Sequence, residues 1–324
     1  MDNLQLVKEK QSVVYNILNN ALKENKLSHA YMFFGVKGSL QEEMALLLIQ
    51  SLFCEESFWA CQQCNICKRI ADNNYPDLII LDGSKSSIKK EDVRKLQHQF
   101  SMTSLEKYKH KVFIIKDAHN MTIGAANSLL KFLEEPSENV IGILISDQKE
   151  AILPTVISRC QVINFNKLSY LDNLQLARQA NINEFDAYFY AQIVNNYFSL
   201  NDFLEEEAYQ LSMLTFKEFI DLFDTKPDLA LYRIHSILLK SKDKKMVKVG
   251  FNIFIDMLIL FFSDTISSNQ DVSNWYDNSR KRYRERINYD LVLEKVLESK
   301  SQINASINIP LAVDQMLYNL KEVM

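Results

Sequence analysis

Residues 31–42 have the sequence YMFFGVKGSLQE, in which a short apolar run leads into two closely spaced glycines and then into a stretch with helical spacing. The apolar run is too short for a helix and too continuous for a half-exposed strand, so it predicts a buried strand. Gly35 and Gly38 are two of only six glycines in 324 residues, and glycine permits backbone conformations that other residues avoid. The stretch therefore predicts a strand, a loop with special backbone geometry and a helix.

The same alternation continues to about residue 165. Short apolar runs, which predict buried parallel strands, are separated by segments with helical periodicity. One predicted helix has Thr122 as its N-cap and is stopped by Pro136. Strands that alternate with helices predict an α/β domain with a parallel sheet and helices on both faces. The predicted strands are Tyr31–Phe34, Leu78–Leu81, Val112–Ile115, Val140–Ile145 and Val162–Phe165.

After Lys167 the strand-like runs disappear and the pattern is helical. We expect three domains: an α/β domain over 1–166, a small helical domain over 167–206 and a larger helical domain over 207–324. The second boundary is open by a few residues, because Glu205, Glu206 and Glu207 also fit the interior of a helix.

The composition is that of a soluble globular protein, with 47% hydrophobic and 24% charged residues. The apolar stretch Phe251–Phe262 contains Asn252 and Asp256, so it is too short and too polar to predict a membrane span. The first residues lack the basic and apolar regions of a secretory signal. A cytoplasmic protein is expected.

The formal net charge of −4 does not indicate a nucleic-acid-binding protein. Two local basic runs are present, and a solvated helix face is the expected explanation of each. Contact of the second run with DNA or with single-strand-binding protein stays open. The runs are Lys85–Lys95 and Arg280, Lys281, Arg282, Arg284 and Arg286.

Four of the five cysteines form a cluster within the first domain. Disulfides are not expected in a cytoplasmic chain, whereas four clustered thiolates suit a closed, structural tetrahedral Zn²⁺ site. Four unrelated free thiols or an iron–sulfur cluster are the alternatives, although the proline that usually follows the fourth cluster ligand is absent. Cys160 is distant in sequence and is expected to be a small core residue. The predicted ligands are Cys54, Cys61, Cys64 and Cys67.

The loop after the first strand lies where a phosphate-binding loop is found in ATPases. The working form is G-x-x-x-x-G-K-[ST], and its last three positions are occupied here by Leu40, Gln41 and Glu42. The loop thus lacks the lysine for the phosphates and the hydroxyl for Mg²⁺. An ordinary strand–helix turn is the alternative interpretation.

A second part of an ATPase site is also altered. After the apolar run Val112–Ile115, a hydrolase would carry two acidic residues, but this chain has Lys116 followed by Asp117. Two independent losses predict that hydrolysis is absent and that no ATP or Mg²⁺ is bound.

Several segments together resemble the clamp-loader branch of the AAA+ ATPases. They cover about residues 28–165 in one order, and the C-terminal half resembles the family only through its helical pattern and the segment Asn308–Ala312. The resembling segments are His29-Ala30-Tyr31, the altered loop Gly35–Glu42, the four-cysteine insertion, Ala125–Pro136, and Leu153-Pro154 through Ser158-Arg159-Cys160.

The resemblance implies an AAA+-type domain with a zinc insertion, followed by a helical lid and a helical collar that mediates oligomerisation. It implies membership of a five-membered ring with gamma/tau ATPase subunits and a delta subunit, which places the beta sliding clamp on primed DNA for the replicative DNA polymerase. In this family the arginine between Ser158 and Cys160, Arg159 here, is an arginine finger that reaches the ATP of a neighbouring subunit.

Two other functions are weighed against this one. A working ATPase subunit is disfavoured by Gln41 and Lys116. A separate zinc-ribbon nucleic-acid-binding protein is disfavoured by the sequence pI of about 5.8 and by the lack of aromatic residues interleaved with basic ones near the cysteines. Phe58 and Trp59 are expected to pack under the zinc loop. The expected function is an ATPase-inactive ring member with an intact finger.

Overall fold

The computed structural model describes residues 3–84, 86–101, 110–134, 139–200, 203–267, 272–286, 289–305 and 308–322. The chain divides into two compact units, Met1–Leu168 and Ser169–Met324. The described residues form five strands and fifteen α-helices. Lys85, Glu135 and Pro136, which belong to motifs discussed above, lie outside the described residues.

The first unit contains one parallel sheet with the strand order β2-β3-β4-β1-β5. Strands β1 and β4 are buried along their whole length, which explains their uninterrupted apolar sequence. All five predicted strands are confirmed. They are β1 Ala30–Phe34, β2 Leu78–Asp82, β3 Lys111–Lys116, β4 Val140–Ser146 and β5 Gln161–Asn164.

Helices cover both faces of this sheet. Met32 and Phe113 pack on one face with Leu96 and Leu129 from two helices, whereas alternate residues such as Phe33 are buried on the opposite face, where α3 contacts β4. The helices are α1 Asn3–Lys10, α2 Ser12–Lys23, α3 Gln41–Phe53, α4 Asn65–Ala71, α5 Lys90–Ser101, α6 Ile123–Glu134 and α7 Pro154–Ile157.

The second unit is helical throughout its described residues. One hydrophobic core includes residues from Leu174 to Leu320, and α10 begins one residue after the predicted boundary at 206. The division into domains 167–206 and 207–324 stays a prediction. The helices are α8 Tyr170–Gln179, α9 Glu184–Gln192, α10 Glu207–Leu222, α11 Pro227–Ile237, α12 Lys244–Ser267, α13 Asn274–Arg286, α14 Tyr289–Ala305 and α15 Ile309–Lys321.

Helix α12 is long and apolar enough, by length and composition, to cross a membrane over Lys244–Ile266. Its residues Phe251, Phe254, Leu258 and Phe261 are fully buried in the core of the second unit. A core helix of a soluble protein has the same composition, so this feature does not indicate a membrane protein.

The basic run on α13 is only in part the solvated helix face that its sequence predicts, because Lys281 and Arg284 are exposed whereas Arg280 is buried. Arg280 is only 6% exposed and binds Asp277 at 2.6 Å. Arg282 donates to the carbonyl of Ile220 at 2.5 Å, and Arg284 donates to that of Thr265 at 2.6 Å. These arginines therefore satisfy carbonyls in the last turns of α10 and α12. The side chain of Arg286 lies outside the described residues.

Candidate functional site

The loop between β1 and α3 has the backbone of a tight phosphate-loop-like turn. Gly38 has φ 73° and Leu40 has φ 69°, both in the left-handed region. A leucine rarely adopts this conformation, and it does so here at the position where the working motif has glycine. The side chain of Leu40 is buried, which compensates for backbone strain with apolar packing.

Gln41 occupies the position of the phosphate-binding lysine, but its side chain turns back on the loop. Its Nε2 donates to the carbonyl of Gly35 at 2.6 Å and to that of Val36 at 3.1 Å. The residue is 5% exposed, and a Cβ on Gly35 would lie only 2.8 Å from the same nitrogen. The amide thus fills the space inside the loop and satisfies carbonyls there.

Gln11, which lies between α1 and α2, holds the far side of this loop. Its Nε2 donates to the carbonyl of Ser39 at 3.0 Å and to that of Asn166 at 2.7 Å, and its Oε1 accepts from the N–H of Asn166 at 3.1 Å. Three hydrogen bonds from one buried side chain fix the loop to the segment after β5. A single glutamine matches no motif, so nothing in the sequence indicates this role.

Two ion pairs join the loop region to the end of β3. Lys116 binds Glu42, and Lys37 Nζ lies 3.7 Å from Asp117 Oδ2. Burial lowers the pKa of Lys116, but the charge and hydrogen bond of Glu42, together with the charges of Asp82 and Glu43, leave that pKa above its ordinary value. A lysine and a glutamate thus contact each other where an ATPase would place an acid and a hydroxyl around Mg²⁺.

Two residues that no sequence motif indicates, His119 and Asp147, lie beside Asp117. His119 Nδ1 is 3.2 Å from Asp147 Oδ1 and 3.3 Å from Ser146 Oγ. The ligand atoms of Asp117, His119 and Asp147 lie within 4.8 Å of one another, which is compatible with a metal ion. Their spacing along the chain matches no motif, because the parallel strands β3 and β4 bring them together.

The Ser-Arg-Cys segment follows the short helix α7. Ser158 Oγ donates to the carbonyl of Thr155 at 3.1 Å, and Arg159 Nη1 donates to the same carbonyl at 2.8 Å. Arg159 also forms an ion pair with Glu134, and its side chain remains 33% exposed. Cys160 packs partly buried against the sheet core, and burial raises the pKa of its thiol to about 12. It is therefore a partly buried thiol that packs against the core.

The four clustered cysteines are brought together between α3 and α4. Their sulfur atoms lie within 4.8 Å of one another, and those of Cys61 and Cys67 are 3.9 Å apart. Two ligands of a tetrahedral Zn²⁺ with Zn–S bonds of about 2.3 Å are separated by about 3.8 Å. The arrangement can hold a metal ion in a closed, four-sulfur site.

The electrostatics of the cluster fit bound thiolates. Backbone N–H groups donate to three of the sulfurs, including that of Cys64, which accepts from Cys67 at 3.4 Å. Burial alone would raise the pKa of Cys54, but the N–H groups of Cys61, Glu56 and Ser57 lower it to about 6. Burial and neighbouring thiols raise the pKa of Cys67, and a bound cation would lower it.

The segment 54–67, which contains the four clustered cysteines, forms a four-cysteine module. Trp59 anchors this module to α2. Its ring stacks on Tyr15 at 5.3 Å between centroids, and its Nε1 donates to Asn19 Oδ1 at 3.0 Å. The expected packing is therefore found for Trp59. It is not found for Phe58, which is 52% exposed.

Comparisons with known proteins identify the family to which the chain belongs. The family model described as DNA polymerase III, delta subunit, matches residues 10–169. DNA polymerase III subunit delta-prime of Bacillus subtilis is 32% identical over 324 residues, which is 97% of each chain. The chain belongs to the delta-prime family of DNA polymerase III subunits. This assignment confirms the resemblance to clamp loaders that the sequence motifs indicate.

Other relatives match less of the chain. DNA polymerase III subunit tau of Bacillus subtilis is 33% identical over 161 residues, which cover 49% of this chain and 28% of tau. A solved DNA polymerase III gamma subunit-related protein from Thermotoga maritima aligns with a TM-score of 0.45 at 18% identity, covering 94% of this chain and 99% of that one. The delta-prime match extends over both units, whereas the tau match covers about half of the chain.

Proposed function

We propose that this chain is an ATPase-inactive member of a clamp-loader ring, which supplies Arg159 in trans to ATP bound by a neighbouring gamma/tau-type subunit. One observation carries the proposal: the chain exposes Arg159 at its surface, while its own phosphate loop is filled by Gln41. An arginine finger stabilises the charge that develops on the transferred phosphoryl group and accelerates hydrolysis by about 10³–10⁵-fold. The lost lysine and the Lys116–Glu42 pair leave this chain without equivalent groups for its own ATP.

The partners follow from the family. We infer a five-membered ring with gamma/tau and delta subunits, in which the region 207–324 forms the collar and 167–206 the lid. The ring loads the beta sliding clamp onto primed DNA, which places the chain in the cytoplasm as part of the DNA-directed DNA polymerase holoenzyme. The names of the delta-prime and tau relatives support this assembly.

The four-cysteine module has a structural role in this proposal. Zn²⁺ held by Cys54, Cys61, Cys64 and Cys67 would fill all four positions with protein sulfur, which leaves no open position for chemistry. The metal would fix the irregular segment between α3 and α4, in addition to the contacts that Trp59 makes with Tyr15 and Asn19.

Reconstitution of the loader with its ATPase and delta subunits, the clamp and primed DNA tests the proposal. Arg159→Ala is expected to lower DNA-stimulated ATP turnover by at least about 100-fold, with ring assembly intact by size-exclusion chromatography. Arg178→Ala is the matched control, because Arg178 is also an exposed arginine paired with a glutamate. Unchanged turnover and clamp loading with Arg159→Ala would contradict the finger role.

A further inference from the structure

Glu134, the last residue of α6, binds the guanidinium group of Arg159 across a separation of 25 residues in the chain. We propose that Glu134 is a positioning residue for the arginine finger, an inference that rests on the function proposed above. The ion pair joins two of the segments that carry the clamp-loader resemblance, Ala125–Pro136 and Ser158–Cys160. Neither segment indicates by its sequence that the two are in contact.

The guanidinium is held at two points that belong to different elements. Nη2 donates to Glu134 at the end of α6, and Nη1 donates to the carbonyl of Thr155 in α7 at 2.8 Å. Two anchors on two helices restrict the rotation of a long side chain, which otherwise samples many rotamers. The finger is therefore oriented before a neighbouring subunit arrives.

The Glu134–Arg159 ion pair is suited to orienting the guanidinium group rather than to stabilising the fold. Glu134 is 48% exposed and Arg159 is 33% exposed, and ion pairs that water reaches contribute little to folding. Arginine has five N–H donors in a fixed plane, and these two anchors leave others for a phosphoryl oxygen. Such a carboxylate acts on the reaction through the arginine, because positioning a charged group lowers the cost of reaching the transition-state geometry.

The test uses the reconstituted loader and five variants of this chain, one of which is Arg159→Ala. Glu134→Ala is expected to lower kcat for DNA-stimulated ATP turnover by about 10- to 100-fold with KM unchanged. Glu134→Gln keeps an acceptor oxygen and should lose less activity. In the Arg159→Ala background, Glu134→Ala should have no further effect, since a positioning residue acts only through the group it holds. Glu184→Ala, which breaks the exposed Arg178–Glu184 pair, is the control.

The outcomes separate this inference from the proposed function. If Arg159→Ala abolishes turnover while Glu134→Ala matches the wild type, the positioning role is overturned and the finger stands. An equal loss from Glu134→Ala with and without Arg159 also overturns it, because the glutamate would then act by another route. If Arg159→Ala itself has no effect, the finger fails and the positioning role fails with it.

Discussion

Lys116 at the end of β3 forms an ion pair with Glu42 in the first turn of α3, across a separation of 74 residues in the chain. In a working phosphate-loop enzyme the equivalent positions carry an acid and a hydroxyl that share Mg²⁺. Here a side-chain ammonium and a carboxylate bind each other directly. The two residues that depart from the motif thus bind each other.

The Lys116–Glu42 pair predicts a charge-exchange result. Glu42→Lys would place two ammonium groups together, and Lys116→Glu would place two carboxylates together, so each single variant should be less stable than the wild type. The double variant restores an attractive pair and should recover part of the loss, with a coupling of about 1 kcal/mol because both groups are partly exposed. Urea unfolding gives the free energies of unfolding, and strictly additive losses would contradict the pairing.

The filled loop predicts that nucleotide binding cannot be restored by one substitution. Gln41→Lys removes the amide that bonds to Gly35 and Val36, but it leaves Lys116 and Glu42 in place. Gln41→Lys combined with Glu42→Thr and Lys116→Asp restores the phosphate lysine and the groups for Mg²⁺.

Thermal unfolding with and without Mg²⁺ and ATP measures whether the wild type, the single variant and the triple variant bind nucleotide. At an ATP concentration of 100 times Kd, a binding-competent variant gains about 2.7 kcal/mol, and the Tm rises accordingly. We expect this shift for the triple variant alone. A nucleotide-dependent rise of the same size in the Tm of the wild type would show that its unaltered loop binds nucleotide.

The strands and the altered motifs could be predicted because each is a local pattern. Buried parallel strands have continuous apolar sequences, and β1 and β4 show this at every position. The contacts that hold the altered loop could not be predicted, because Gln11 and Lys116 reach it from distant parts of the chain. The local sequence shows which motif residue of the loop is absent. Tertiary contacts determine which interactions form in its place.

The basic run on α13 shows a second limit of prediction from sequence. Five basic residues within seven positions usually indicate a solvated face. Arg282 and Arg284 instead donate to carbonyls at the ends of α10 and α12. These hydrogen bonds depend on where distant backbone carbonyls lie in the fold. The sequence of the basic run does not contain that information.

The cysteine cluster predicts one structural zinc ion per chain. Cys67→Ser removes a fully buried ligand and should abolish zinc binding and lower the Tm by about 5–10 °C, since metal-binding energy contributes to folding. Cys160→Ser is the control, because it changes a partly buried thiol outside the cluster. Metal content by elemental analysis and calorimetry of both variants checks this. Full zinc retention by Cys67→Ser would contradict a four-sulfur site.

A buried carboxylate in the second unit predicts a pH-dependent difference in stability. Asp264 accepts hydrogen bonds from Tyr188 at 2.5 Å and from Tyr276 at 2.8 Å. Burial raises its pKa above the ordinary value of about 3.9, although these tyrosines and the charge of Arg280 lower it, and Asp277 raises it further. The folded chain therefore binds this proton more tightly than the unfolded chain does.

Asp264→Asn removes the titration and keeps an acceptor oxygen. Because the folded pKa is raised, the carboxyl group of the wild type loses stability as the pH rises from the unfolded pKa to the folded pKa. The variant should therefore gain stability relative to the wild type across that window and show a constant difference above it. Chemical unfolding of both proteins from about pH 3.5 to about pH 7 measures this. A difference that is flat over the whole range, or that moves in favour of the wild type as the pH rises, would mean that the pKa of Asp264 is not raised in the folded chain.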